Sequence, residues 1–152
     1  MDHIERRHGI TLAGPVDRVF PLFTPLGETL WVEGWTPEFL HPKSGETVRG
    51  MVFRTGHGEE ETLWACVDWN PAAHHVRYAR VTPRSRFGFV EVTCRAASAG
   101  QTQAAVAYTF TALTDAGRAH LADLNEDAFA RMIEDWRMKI DGWLAKDRQA
   151  AG

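Results

Sequence analysis

The chain has 152 residues, 17 of them Lys or Arg and 20 Asp or Glu, for a formal net charge of −3. This length supplies one core of ordinary size and not two, and the charge balance lacks the basic footprint that a nucleic-acid partner requires. No window reaches the roughly 18 apolar residues of a membrane span, and the opening MDHIERRHGI places charges where an export signal has an apolar stretch, so a cytoplasmic setting is expected.

In chain order, residues 4–12 read as a strand, because Ile4, Ile10 and Leu12 share one parity. Gly14-Pro15 ends it. Pro15 suits a first helical position, and Val16, Val19, Phe20 and Phe23 follow at helical spacing. Pro21 and Pro25 keep that helix short, and a second short helix is expected over residues 25–31. Residues 32–44 are irregular, punctuated by Gly34, Pro37 and Pro42. Five strands then follow, over residues 46–55, 61–70, 75–82, 86–97 and 102–113, with Asn70-Pro71, Pro83 and Gly100 marking turns. Their short connections imply an antiparallel meander.

The last segment is helical. Leu121, Leu124, Ala128, Met132 and Trp136 form one stripe, widened by Phe129, Ile133, Ile140, Trp143 and Leu144. Asn125 suits an N-cap, with Glu126 and Asp127 in the first turn. A helix over residues 125–147 would be about 34 Å long. Residues 148–152 are expected to fray. No repeat or linker divides the chain, so residues 1–147 read as a single α+β domain.

The pieces LAGPVDRVFPLFTPLGETLWVEGW, VFRTGHGEEETLWACVDWNPAAHHVRYARVTP and VAYTFTALT, with a terminal helix ending RMIEDWRMKIDGWL, cover nearly the whole chain in that order. Together they resemble the START/Bet v 1-like superfamily, also called SRPBCC or polyketide cyclase-like proteins. The resemblance implies a helix-grip fold: a curved antiparallel sheet, here of about six strands, around the long C-terminal helix, with two short helices after the first strand. It also implies a cavity between sheet and helix for a hydrophobic or amphipathic small molecule, gated by the first helices and nearby loops. The superfamily includes lipid carriers, hormone receptors, cyclases, dehydratase-like enzymes and co-chaperones, so the shared motifs mark architecture and leave the activity open.

The hairpin at Asn70-Pro71 decides which side chains look inward. A loop over residues 70–73 places Trp69 opposite His74, Val67 opposite Val76, Ala65 opposite Tyr78 and Leu63 opposite Arg80. One more loop residue would set Trp64 and Cys66 opposite Arg80 and Tyr78. It would also leave Leu63, Ala65, Val67 and Trp69 in water, at about 25 cal/mol per Å² of apolar area. The first register is therefore preferred, with Trp64 outward. Both registers hold Val76, Tyr78 and Arg80 inward.

An inward guanidinium is costly without an acceptor. Either the Arg80 head reaches solvent at the strand's end, or it anchors an anionic or carbonyl-bearing ligand. On the next strand Val90, Val92 and Cys94 read as core and Glu91 as outward; in the opposite register Glu91 would be a buried acid or base. Ala104, Val106, Tyr108 and Phe110 form the inward row of the last strand. The candidate ligand-binding residues are Trp35 and Phe39 from the irregular segment, Phe53, Tyr78, Arg80 and Tyr108 from the sheet, and Met132 and Trp136 from the terminal helix.

No metal or cofactor motif emerges. His74 and His75 are adjacent on a strand and point to opposite faces, while His41 and His57 lack ligand spacing and read as solvated. Cys66 and Cys94 form no CxxC and read as small core residues. There is no GxSxG, GxGxxG or P-loop, and Glu59-Glu60-Glu61 reads as a solvated edge. With six Trp, eight Phe and two Tyr and no catalytic signature, the favoured function is binding or carrying a hydrophobic or amphipathic small molecule, as a monomer or homodimer. One alternative is a cyclase- or dehydratase-like enzyme acting on a polyketide-like or aromatic substrate through Tyr78, Arg80, Tyr108 or Glu91. A second is a co-chaperone-like interaction module using an outward Trp64. Carrier and enzyme alike call for a cavity of about 300 Å³ or more.

Overall fold

The computed structural model describes residues 2–57 and 60–151. Glu59 of the acidic run, and the side chain of His57, lie outside the described residues. The chain opens with β1 (His3–Leu12), followed by α1 (Val16–Val19), a 3-10 turn (Phe20–Phe23) and α2 (Pro25–Glu28). Six strands follow: β2 (Glu38–His41), β3 (Val52–His57), β4 (Glu60–Asn70), β5 (His75–Thr82), β6 (Arg86–Ser98) and β7 (Gln101–Ala112). α3 (Asp115–Asp123) and the 26-residue α4 (Glu126–Ala151) close the chain. All strands join one antiparallel sheet in the order β1-β7-β6-β5-β4-β3-β2.

Pro21 and Pro25 divide the first helical segment as their missing N–H groups require, and α2 ends at Glu28, three residues short of the helix expected there. The sheet has seven strands where six were expected. β2 lies inside the segment read as irregular; it has four residues and no apolar alternation of its own, and it forms because Phe39 pairs with Phe53 on β3.

α4 begins where expected, with Asn125 Oδ1 accepting from Ala128 N–H at 2.8 Å, but it runs to Ala151, about 39 Å, past the boundary at residue 147. Leu121 belongs to the separate α3, capped by Thr114, so the stripe from Leu121 to Trp136 is not one helix face. The fully buried seam of α4 is Phe129, Ile133, Ile140 and Leu144. Polar contacts hold α4 against β1 and the corner after it. Glu134 bonds His8 at 2.7 Å, Asp141 accepts from Ala13 N–H at 2.9 Å, and Arg148 donates to the Ala13 carbonyl at 2.7 Å.

The β4–β5 hairpin departs from the preferred register. Asn70 pairs with His75, Trp69 with Val76 and Asp68 with Arg77, but beyond Val67 the partners are Cys66 with Tyr78 and Trp64 with Arg80. Val67 is the extra residue of a β-bulge, which reverses parity in mid-strand. Trp69 therefore faces inward, stacked on Phe20 at 5.5 Å, and so do Trp64 and Cys66. Strict alternation forces a choice between Trp64 and Trp69; the bulge turns both inward, where each is partly buried. Leu63 and Ala65 turn to the outer face instead, where Leu63 is 37% and Phe87 38% exposed. Glu91 is outward as expected, bonded to His75 at 2.7 Å.

Candidate functional site

Three walls enclose a cavity of about 150 Å³. The sheet supplies two adjacent inward rows. Phe53, Trp64 and Arg80 are cross-strand partners on β3, β4 and β5, and Tyr78, Val90 and Tyr108 on β5, β6 and β7. α4 supplies Trp136. The third wall is Phe23, Pro25, Glu28, Val32 and Trp35, from the short helices and the turn after them.

The aromatic rings both line this space and fill it. Trp64 stacks on Phe53 at 5.4 Å, Trp35 meets both rings edge-on at about 6 Å, and Trp136 meets Trp31 edge-on at 5.6 Å. Three of the indole N–H groups are committed: Trp31 to the Leu22 carbonyl at 2.8 Å, Trp35 to the Pro25 carbonyl at 2.9 Å and Trp64 to Thr55 Oγ1 at 3.0 Å. The cavity is consequently half the volume expected for a carrier or an enzyme, and comparable to a void that holds one benzene ring, about 150 Å³.

Six of the eight anticipated residues line it: Trp35, Phe53, Tyr78, Arg80, Tyr108 and Trp136. Phe39 does not. It sits on edge strand β2 and packs on Phe53, 6.3 Å away, one strand beyond the wall. Met132 packs against the core one turn before Trp136, whose ring takes the only place α4 has in the lining. Trp64, expected on the outer face, lines the cavity because the bulge at Val67 turns it inward. Glu28 was not anticipated: α2 is a single turn, too short for periodicity to mark a buried side, and an acid in a first turn is ordinary complementation of the helix dipole.

Two glycines set the polar geometry. A Cβ on Gly27 would lie 1.9 Å from the Pro21 carbonyl oxygen, so only glycine lets α2 fold this tightly onto the preceding turn and hold Glu28 over the cavity. Gly88 faces Arg80 across β5 and β6, and a Cβ there would lie 2.3 Å from the Phe110 ring. Phe110 occupies the vacated space, and the Arg80 guanidinium lies 4.4 Å from the Trp64 ring centre and 5.3 Å from that of Phe110.

The charges in the cavity are unpaired. Arg80 Nε is buried without a hydrogen-bond acceptor, and burial lowers the guanidinium pKa to about 10. Arg80 contributes to the cavity wall and is half-buried as a whole residue. The Glu28 carboxylate makes no hydrogen bond or ion pair with any described residue; the side chain is half-buried, and desolvation against the apolar wall raises its carboxyl above the ordinary carboxylate range. Tyr78 donates to the Phe23 carbonyl at 3.0 Å, which accounts for its hydroxyl structurally. Tyr108 is raised chiefly by burial, with Arg80 acting to lower it and Glu28 to raise it further. Burial also lifts the Cys66 thiol to about 11 and Cys94 to about 12, so neither supplies a thiolate nucleophile. Among the described residues, no three His, Cys, Asp or Glu are placed to hold a metal ion, and no helix is long and apolar enough to cross a membrane.

The sign of the Glu28 shift fixes a pH dependence. The folded state keeps this proton to higher pH than the unfolded chain, so the Glu28 contribution to stability falls as pH rises from about 4.5 through the raised pKa. Glu28→Gln is expected to match the parent at acid pH and to exceed its stability by roughly 1–3 kcal/mol at mildly alkaline pH. Urea unfolding across that range checks this; a difference independent of pH contradicts it.

The sequence matches no protein-family model and no curated protein. Solved structures do match. Ara h 8.0201 superposes with a TM-score of 0.67 at 15% identity, covering 95% of this chain and 99% of its own. The Zhui aromatase/cyclase from Streptomyces sp. R1128 gives 0.60 at 17% identity, covering 99% and 96%. Norcoclaurine synthase from Thalictrum flavum, solved with dopamine and hydroxybenzaldehyde, gives 0.66 at 8% identity, covering 95% and 87%.

Proposed function

We propose, for a chain whose fold is that of the START/Bet v 1-like superfamily, that the cavity binds a small amphipathic molecule built on one ring, held by Arg80 through a carboxylate or carbonyl oxygen. The observation that carries this reading is the buried Arg80 Nε without an acceptor. A guanidinium offers five donors, and leaving one buried and unmatched costs about 1–3 kcal/mol. A ligand oxygen meeting the terminal N–H groups of the guanidinium would offset that cost, while the indole and phenyl walls would bury the ring. At about 150 Å³ the site suits one ring better than a sterol or a folded polyketide chain.

A second reading, catalysis of proton transfer on such a guest, is favoured by Glu28 alone. A carboxyl with a raised pKa in an apolar cavity has the properties of a general acid or base.

The binding reading is tested by calorimetric titration with phenylacetate and with toluene, its counterpart without the carboxylate. Saturation by phenylacetate at one site per chain, with clear preference over toluene, is the expected result. Equal or absent binding of the two would remove Arg80 as the anchor.

A further inference from the structure

Arg80 and Glu28 are the two charged residues in the cavity wall, and every other lining residue is apolar or aromatic. They carry opposite charges yet do not satisfy one another: neither side chain makes a hydrogen bond or ion pair among the described residues, and Arg80 retains its orphaned Nε. They come from different walls, β5 and α2. Tyr108 lines the same cavity from β7.

We propose that the guest is two-headed: a single-ring acid whose carboxylate meets Arg80 and whose far end carries a hydrogen-bond donor, a hydroxyl or an amine, for Glu28. This rests on the Arg80-anchored binding above and adds the second pole. An acid with an apolar tail satisfies Arg80 and leaves Glu28 desolvated and unmatched, a loss the cavity would suffer on every binding event. A donor satisfies Glu28 in either protonation state, because an ionised carboxylate only accepts and a protonated one still has a carbonyl oxygen to accept with. An acceptor at that end would suit only the protonated form. Between the poles, the rings of Trp35, Trp64 and Trp136 supply the apolar walls for the guest's own ring.

The experiment compares 4-hydroxyphenylacetate with its near-isostere 4-methylphenylacetate by calorimetry on the parent chain, Glu28→Leu and Glu28→Gln. In the parent, the hydroxy acid should bind about tenfold tighter or more, as expected when a buried acceptor is left unmatched by the wrong analogue. Glu28→Leu should abolish or invert that preference, and Glu28→Gln, whose amide oxygen still accepts, should keep part of it. Equal affinities in the parent, or an unchanged preference in Glu28→Leu, would overturn the two-headed guest while the binding of both acids left the Arg80 anchor standing. Failure of both acids to bind the parent would overturn the anchor and this inference together.

Discussion

Arg80→Met should make the protein more stable and a worse receptor at once, raising the thermal midpoint by several degrees while weakening aromatic acids about a hundredfold. The half-buried side chain packs against Trp64 and Phe110 with an unmatched Nε and a lowered pKa. A methionine of similar length keeps the contact with both rings and removes the desolvated charge. Such replacements are often neutral or stabilising by about 1–4 kcal/mol, whereas the bound acid loses a charge-assisted hydrogen bond. Melting curves and calorimetry on the same preparation provide the check. A lower midpoint with unchanged affinity would mean that Arg80 serves the packing of Trp64, through the cation–π contact, and not a ligand.

Phe129→Ala is expected to be the most damaging of the simple truncations, at about 3–5 kcal/mol. Phe129 is 1% exposed on the buried seam of α4, and its ring meets Tyr108 edge-on at 5.1 Å. Deleting it removes the support behind one wall of the cavity, so Tyr108 can move back into the void. Urea unfolding should therefore show a reduced midpoint at unchanged slope, and two-ring acids excluded by the parent should begin to bind. A loss under 1 kcal/mol, or a ligand range identical to that of the parent, would show that Tyr108 is held by other neighbours. The Glu28→Gln comparison complements both variants, since its effect appears only as pH rises and theirs does not depend on that titration.

The convex face carries the consequence of the β4 bulge. Leu63 and Phe87 are each more than a third exposed there, the exposure that the preferred register avoids by keeping β4 uniform. β4 is not a uniform strand. The cost at Leu63 and Ala65 is real, but Trp64, with a larger apolar surface, gains more from the concave side, and the bulge returns Trp69 to the same side. Pairwise alternation cannot express a strand whose two halves obey opposite parities.

Local chemistry was enough to specify much of this protein from its sequence. Pro21 and Pro25 divide the first helices, Asn125 starts the terminal one, and the alternation of Val90, Val92 and Cys94 and of Ala104, Val106 and Phe110 orients two strands. These are properties of neighbouring residues, and no distant partner is needed to read them. Edge strand β2, the mid-strand reversal at Val67, the small cavity and the placing of Glu28 and Arg80 in one cavity wall were decided only in three dimensions. Each depends on contacts between segments apart in the chain: Phe39 with Phe53, Trp64 with Trp35, and α2 with the cavity-lining strands that come after it and that it meets only through tertiary packing. A four-residue helix has no periodicity to reveal its buried side, and a charge becomes a site only when the folded chain withholds every partner from it.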